Sequence, residues 1–306
     1  MKSTRICLLL VLLLVLLLVG VQPGCSTKPQ KIRTAKDDFQ VATKIADARR
    51  RANRMLQIAQ QQQEQGNLGD ASRSVGSGID AALKVEDVYE RCRILNRAIY
   101  IYNGIGYGHR IDESPHPLKK VAGDWENIED LGNRIEIGAQ LSEIYKKFME
   151  KNTTAEMYLE ECEKWAGQIE SLGAEVRALM VIAYYCHRLG HDEDSERLVM
   201  AALEKATMVE SGRPQADLYG ELGTRLLRLE RKEQAAEVFE IAQQGADAIE
   251  EDLSRAYAYL DLAQRLKAKG DTGSSSRLLG AAEKIAEGQA EGALSRELLD
   301  KIRAER

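Results

Sequence analysis

The sequence predicts an all-α fold, a right-handed solenoid of about six similar helical hairpins. Three observations carry this. First, the turns Leu189-Gly190-His191, Leu229-Glu230-Arg231 and Lys269-Gly270-Asp271 centre on the evenly spaced positions 190, 230 and 270, and Gly66 and Gly106 keep the same step. Second, Pro occurs after Pro29 only at 115, 117 and 214, and strong helix formers dominate elsewhere. Third, small and large residues alternate in register along the period. A fixed repeat of this size marks stacked units, none of which can bury its apolar face alone.

The first 24 residues stand apart. Lys2 and Arg5 precede an apolar run from Ile6 to Val21, and Gly24-Cys25 is followed by Ser26-Thr27-Lys28-Pro29-Gln30. A basic start, an apolar centre and a small residue before a polar stretch describe an export signal. The run of 16 residues is shorter than the roughly 20 that span a bilayer. Cys25, directly after Gly24, resembles the lipobox cysteine of bacterial lipoproteins. That resemblance extends only to Ser26. It implies a lipidated Cys25, a linker over 25–35 and attachment to a membrane facing the periplasm. Ser26 resembles the second mature residue of lipoproteins sorted to an outer membrane. The alternative is an uncleaved anchor with Cys25 beside it.

The solenoid is expected over 36–306. A helix from about Lys36 to Arg51 caps its start. In the first helices, Met55, Leu179, Tyr219 and Tyr259 share a column. Ile58, Ile182, Leu222 and Leu262 share the next, and Ala59, Ala183, Gly223 and Ala263 the third. Steps of three and one place them on one helical face. In the second helices the columns are Ala71, Ala155, Ser195, Ala235 and Ser275; Val75, Leu159, Val199, Phe239 and Leu279; and Gly78, Cys162, Ala202, Ala242 and Ala282. A fourth holds Ala82, Ala166, Ala206, Ala246 and Ala286. Small columns let helices approach closely, and the large column fills the gap between them. Cys162 falls in a small column and Cys186 in one shared with Leu226 and Leu266, and both read as core residues.

Two units are irregular. The step from 106 to about 150 is longer than the others by four positions. Gly104 to Pro117 reads as a loop. A helix follows from Pro117, with Leu118, Val121, Ala122, Trp125 and Ile128 on one face. The next first helix, with Leu141, Ile144, Tyr145 and Phe148, is expected about two positions out of register. Positions 294–306 form a polar closing helix.

These columns resemble the tetratricopeptide repeat family. Tyr219, Leu222, Gly223 and Leu226, followed by Ala235, Phe239 and Ala242, match its pattern. Tyr259, Leu262, Ala263 and Leu266 match with Ser275, Leu279 and Ala282, and Leu179, Ile182 and Ala183 with Ser195, Val199 and Ala202. The period of 40 differs from that family's usual 34. The resemblance implies that first helices line a concave, protein-binding groove. Its inward positions carry over to Arg177, Tyr184, His187 and Arg188, then Thr224 and Arg228, then Tyr257, Gln264 and Lys267. Arg, Tyr and His suit recognition by hydrogen bonds and stacking; the bland alternative is a solvated face.

Composition narrows the function. The chain of 306 residues has a net charge of −5. Without residues 1–24, which hold Lys2 and Arg5 and no acid, 41 basic face 48 acidic residues, a balance of −7. That balance gives no reason to expect nucleic acid. His187 and His191 beside Asp192, Glu193 and Asp194 give the one hint of metal spacing. Gly190 between them marks a helix end, so no metal and no cofactor is expected. No nucleophile–base or phosphate-loop motif stands out, and no small-molecule substrate is evident. The sequence therefore reads as a non-enzymatic, membrane-anchored scaffold of the bacterial envelope that binds proteins. Arg177, Arg188, Arg228 and Lys267 suggest an acidic partner segment. Alternatives are a structural accessory subunit of an envelope assembly or export machine and, from another class, a cell-wall hydrolase.

Overall fold

The computed structural model describes residues 35–111, 113, 116–289 and 292–305. The export signal, Cys25 and nearly all of the linker lie outside them. Among the described residues there are 14 α-helices, two short 3-10 turns and no strand. No helix there is long and apolar enough to cross a membrane.

The helices are α1 (Ala35–Thr43), α2 (Ala48–Glu64), α3 (Leu68–Ala82), α4 (Val88–Gly104), α5 (Pro117–Asp124), α6 (Leu131–Lys147) and α7 (Asn152–Ala166). They continue as α8 (Leu172–Arg188), α9 (Asp192–Ala206), α10 (Arg213–Arg228), α11 (Lys232–Asp247), α12 (Asp252–Lys267), α13 (Thr272–Gly288) and α14 (Ala293–Glu305). Six hairpins result, α2/α3 to α12/α13, and each packs on the next. The expected opening helix is interrupted. Lys44 and Ile45 turn back on Val41 and Ala42, and Asp47 then caps α2, so Arg49 to Arg51 belong to the first hairpin.

The turn inside each hairpin explains the period. One residue is left-handed in every turn: Gly66, Gly106, Glu150, Gly190, Glu230 and Gly270. In five of them the next N–H reaches back five residues to a helix carbonyl, as in Asn67 to Gln62 and His191 to Cys186. That is the helix-ending arrangement in which glycine suffers no Cβ penalty. Glu150 and Glu230, at φ 56° and 62°, carry that penalty. Glu230→Gly is expected to raise stability by about 0.5–1 kcal/mol, the relief at φ > 0 outweighing the extra freedom of the unfolded chain. Unchanged denaturant midpoints would show that the turn carries no such strain.

The same turns locate the four extra residues. The cap residues Asp87 and Asp130 are 43 apart, so three extra residues precede α6. The fourth lies in the turn after it, where Lys151 N–H reaches six residues back to Tyr145. Relative to its turn, α6 is therefore one position out of register, not two. Gly138, Leu141 and Ser142 occupy its column positions and are buried. The loop after α4 holds a 3-10 turn, Gly108–Ile111, that buries Ile111.

The hairpin columns are buried as their alternation requires except at Tyr259, which is half-buried and donates to Asp247, and Ala71, Val75, Ala82, Val199, Ala202, Ala242, Ala246 and Ala282 are fully enclosed. Cys92, Cys162 and Cys186 are free and buried, and burial pushes the Cys92 and Cys186 thiols up to about 12. Ala242→Leu is expected to cost about 1–3 kcal/mol by overpacking. Gln243→Leu, on an exposed position, should cost far less. Equal melting temperatures would contradict the column assignment.

Most junctions between hairpins share one fastening. An apolar residue, then an acid two positions on, then Arg four positions later recurs as Ile45/Asp47/Arg51, Val85/Asp87/Arg91, Ile128/Asp130/Arg134 and Ile249/Glu251/Arg255. The acid caps the helix, accepting from Arg50, Glu90, Asn133 or Ser254 N–H at 2.5–2.7 Å. The Arg donates to the carbonyl of the apolar residue at 2.5–2.9 Å. The junctions into α8 and α10 lack it. Ser171 makes no side-chain cap bond, position 175 is a Glu paired with Lys205, and the cap residue before α10 is Gly212, with φ 95° and no side chain to accept a bond.

Candidate functional site

First helices form the wall of one concave channel. Its N-terminal part, a groove of about 490 Å³, takes side chains only from α2, α4, α6 and α8, among them Asn53, Gln60, Gln63, Arg93, Arg97, Tyr100, Gln140, Glu143, Tyr184, Tyr185 and Arg188. A space of about 200 Å³ continues past Tyr184 and Tyr185 to Glu136, Arg225 and Arg228. A third of about 360 Å³ runs on from Arg228 to Thr224, Gln264 and Arg265. Tyr184 and Tyr185 line the first two spaces and Arg228 lines the second and third, so the three adjoin one another along the first helices.

The channel exists because corresponding positions of successive first helices face one way. Polar cross-links hold those positions together. Tyr89 donates to Glu136 at 3.0 Å, Asn96 to Gln140 at 2.8 Å and Tyr100 to Glu143 at 2.5 Å. Arg188 reaches Glu143 at 2.5 Å, Arg177 reaches Glu221 at 2.6 Å and Arg213 reaches Asp261 at 3.1 Å. Each link joins one unit to the next.

Glu143 is the centre of this ladder. It is 1 % exposed, yet accepts from Tyr100, Arg188 and Lys147, the last at 3.1 Å. A buried carboxylate persists only when paired and hydrogen-bonded in this way. Burial, then Tyr185 and Glu143, push the Tyr100 hydroxyl well above its ordinary range, and burial with Glu143 does the same for Tyr185. Both hydroxyls stay protonated, and that of Tyr100 donates to Glu143. Arg188 also donates to the Tyr184 hydroxyl at 3.1 Å and lies 5.7 Å from that ring's centre.

The cations of the channel divide into two kinds. Arg93 is held by Glu90 and Arg188 by Glu143. Arg97 donates to neutral Gln60 at 2.6 Å. No carboxylate lies within ion-pair distance of Arg97, Arg225 or Arg228, nor of Arg265 and Lys269 in the third space, among the described residues. Burial, with Arg93 beside it, depresses Arg97's proton affinity. Burial depresses Arg225 likewise, with Arg228 adding to the effect and Glu221 opposing it.

Of the nine residues expected in the groove, Tyr184, Arg188, Thr224, Arg228 and Gln264 line the channel. Arg177 serves the ladder. His187 bonds Asp192 at 2.9 Å, and His191 bonds Lys146 at 2.8 Å, so the two histidines turn to different partners. Tyr257, Gln264 and Lys267 are engaged by α14. Lys301 lies 5.4 Å over the Tyr257 ring, Gln264 donates to Glu305 at 2.8 Å, and Lys267 bonds Glu305. Three of the four expected strip cations, Arg177, Arg188 and Lys267, are thus neutralised within the chain. Tyr100, Glu143, Tyr185, Arg97 and Arg225 belong to the site and escaped sequence reasoning. Tyr100, Glu143 and Tyr184 stand at the same place after the caps Asp87, Asp130 and Ser171. Stepping back from Tyr184 by the repeat, cap to cap, would have reached the first two. Among the described residues no group of three His, Cys, Asp or Glu side chains could hold a metal ion.

No family model and no curated protein matches the chain. Among solved structures, the crystal structure of Ton1535 from Thermococcus onnurineus NA1 is similar at 15% identity, covering 88% of this chain and 83% of that chain, with a TM-score of 0.28.

Proposed function

We propose that this chain is an exported, lipid-anchored helical-repeat scaffold of the tetratricopeptide type, which binds an extended segment of a partner protein along its concave channel in the bacterial envelope. The observation that carries the reading is the succession of adjoining spaces lined by six successive first helices. It offers Arg, Tyr, Asn and Gln side chains to whatever lies in it. Such side chains recognise peptide backbones and acidic groups. A wall already fixed by its own cross-links avoids much of the ordering cost that weakens binding by flexible surfaces. The anchor rests on Gly24-Cys25 after the apolar run.

Two measurements test the two halves of this reading. Cys25→Ser should leave a full-length precursor or a soluble exported form, and a variant that fractionates and migrates like wild type would make the apolar run itself the anchor. Affinity capture from detergent-solubilised envelope should lose its principal partner when Arg97 and Arg228 are both changed to Glu, with helicity intact. Arg188 is unsuited to that role because reversing it would set a second carboxylate against buried Glu143. Full capture by the double variant would move recognition to the edges and convex face.

A further inference from the structure

The channel cations without carboxylate partners are Arg97, Arg225, Arg228, Arg265 and Lys269, and they are not spread evenly. Arg97 stands alone on α4, at the N-terminal part of the channel. Arg225 and Arg228 stand together on α10, two hairpins beyond the one that follows α4, and Arg265 and Lys269 follow them on and just after α12. Between Arg97 and Arg225 lies the Glu143 cluster, whose cations are already bonded to a carboxylate. Glu136 faces the same space as Arg225 but is engaged by Tyr89 and Gln140, and Glu221 is engaged by Arg177. A ligand therefore meets unsatisfied positive charge on both sides of a stretch where the charges are matched, and the nearest points on the two sides are Arg97 and the Arg225–Arg228 pair.

The separation follows from the stacking. Packed helices lie about 8–10 Å apart, so three steps from α4 to α10 cover about 24–30 Å. An extended chain advances about 3.3 Å per residue, which makes the distance about seven to nine residues. The carboxamides of Asn53, Gln60, Gln63 and Gln140 can each donate to and accept from a peptide backbone lying in the groove.

We propose that the channel is a two-point receptor for an extended peptide, in which one carboxylate docks at Arg97 and a second, about eight residues away, docks at Arg225 and Arg228. This rests on the peptide-binding reading above and adds the spacing to it. Free cations on a body of net negative charge give register and discrimination more than bulk attraction.

The test is selection of random 16-residue peptides, displayed on phage, on the detergent-solubilised full chain. Enriched peptides should carry two acidic residues at a separation of about seven to nine. In fluorescence polarisation with a selected, labelled peptide, moving one acid four residues closer to the other should weaken binding about tenfold, the loss of one charge-assisted contact. Arg97→Gln should weaken the original peptide by a similar factor and leave the moved-acid peptide nearly unaffected. Arg228→Gln, on an exposed position, provides the second point if Arg225→Gln disturbs folding by circular dichroism. Enrichment without acids, or affinity indifferent to their spacing, or selected peptides binding Arg97→Gln as wild type, would overturn the two-point receptor while leaving peptide binding standing. Failure to enrich any peptide would overturn both.

Discussion

Gly138→Val is expected to lower stability by about 3 kcal/mol, the upper end of the cost of overpacking a tight core. A Cβ on Gly138 would stand 2.6 Å from Trp125 Cζ3 and 2.7 Å from Cys162 Sγ. Neither can yield cheaply. The Trp125 ring is held by Tyr158 at 4.8 Å and Trp165 at 4.6 Å between centres, and Cys162 is fully buried. The better helix propensity of Val offsets only a few tenths of a kcal/mol. The melting temperature should fall by about 6–12 °C. Gly123→Ala is the contrasting case, because nothing lies within 4 Å of its Cβ, and it should be neutral or stabilising. A Gly138 variant that melts with wild type would mean that α5 and its Trp125 do not fill the gap between α6 and α7.

The second large effect is expected at Glu143. Glu143→Leu removes the acceptor shared by Tyr100, Arg188 and Lys147. Breaking a fully buried ion pair costs about 3–5 kcal/mol. Arg188 and Lys147 are each 39% exposed, so water recovers part of that, and about 2 kcal/mol is expected in denaturant unfolding. Glu143→Gln keeps an acceptor for Tyr100 and should lose about half as much. Combining Glu143→Leu with Arg188→Leu should show coupling of about 1 kcal/mol. Strict additivity would mean that the 2.5 Å contact contributes nothing to holding α6 against α8.

Much of the fold is legible because a repeat writes the same physics several times. The second-helix columns could be read from residue size, and the turn positions from spacing, even where Glu230 replaces glycine. The register of α6 could not, since the four extra residues are divided between the two ends of that helix. The Arg fastening was present in the sequence at positions 51, 91, 134 and 255. It is hidden because charged residues on a helix normally read as solvated, and its partner is a backbone carbonyl that no sequence displays.

The channel was legible by halves. Tyr184, Thr224 and Arg228 were reachable from the regular units. Tyr100 and Glu143 lie in the irregular ones, where the register was lost. The free charge of the strip was overcounted for a different reason. Arg177, Arg188 and Lys267 look free in one dimension, whereas the stack brings Glu221, Glu143 and Glu305 to them. Charges that neutralise each other from one repeat to the next can be paired only once the stacking is known.

The uneven distribution of the Arg fastening sets where the solenoid bends. Hairpin angles are locked at the junctions into α2, α4, α6 and α12, each clamped by a cap carboxylate and a guanidinium-to-carbonyl bond. The junctions into α8 and α10 have neither. Arg188 to Glu143 and Lys146 to the Leu189 carbonyl still tie α8 to α6, whereas α10 is tied to α8 by Arg177 to Glu221, so elastic compliance concentrates at the junction into α10. The chain should behave as two stiff arms joined there, opening and closing between α8 and α10. Hydrogen exchange would reveal it, with amides of residues 207–212 exchanging sooner than those of 83–87. Uniform protection across all the junctions would instead describe a rod of even stiffness.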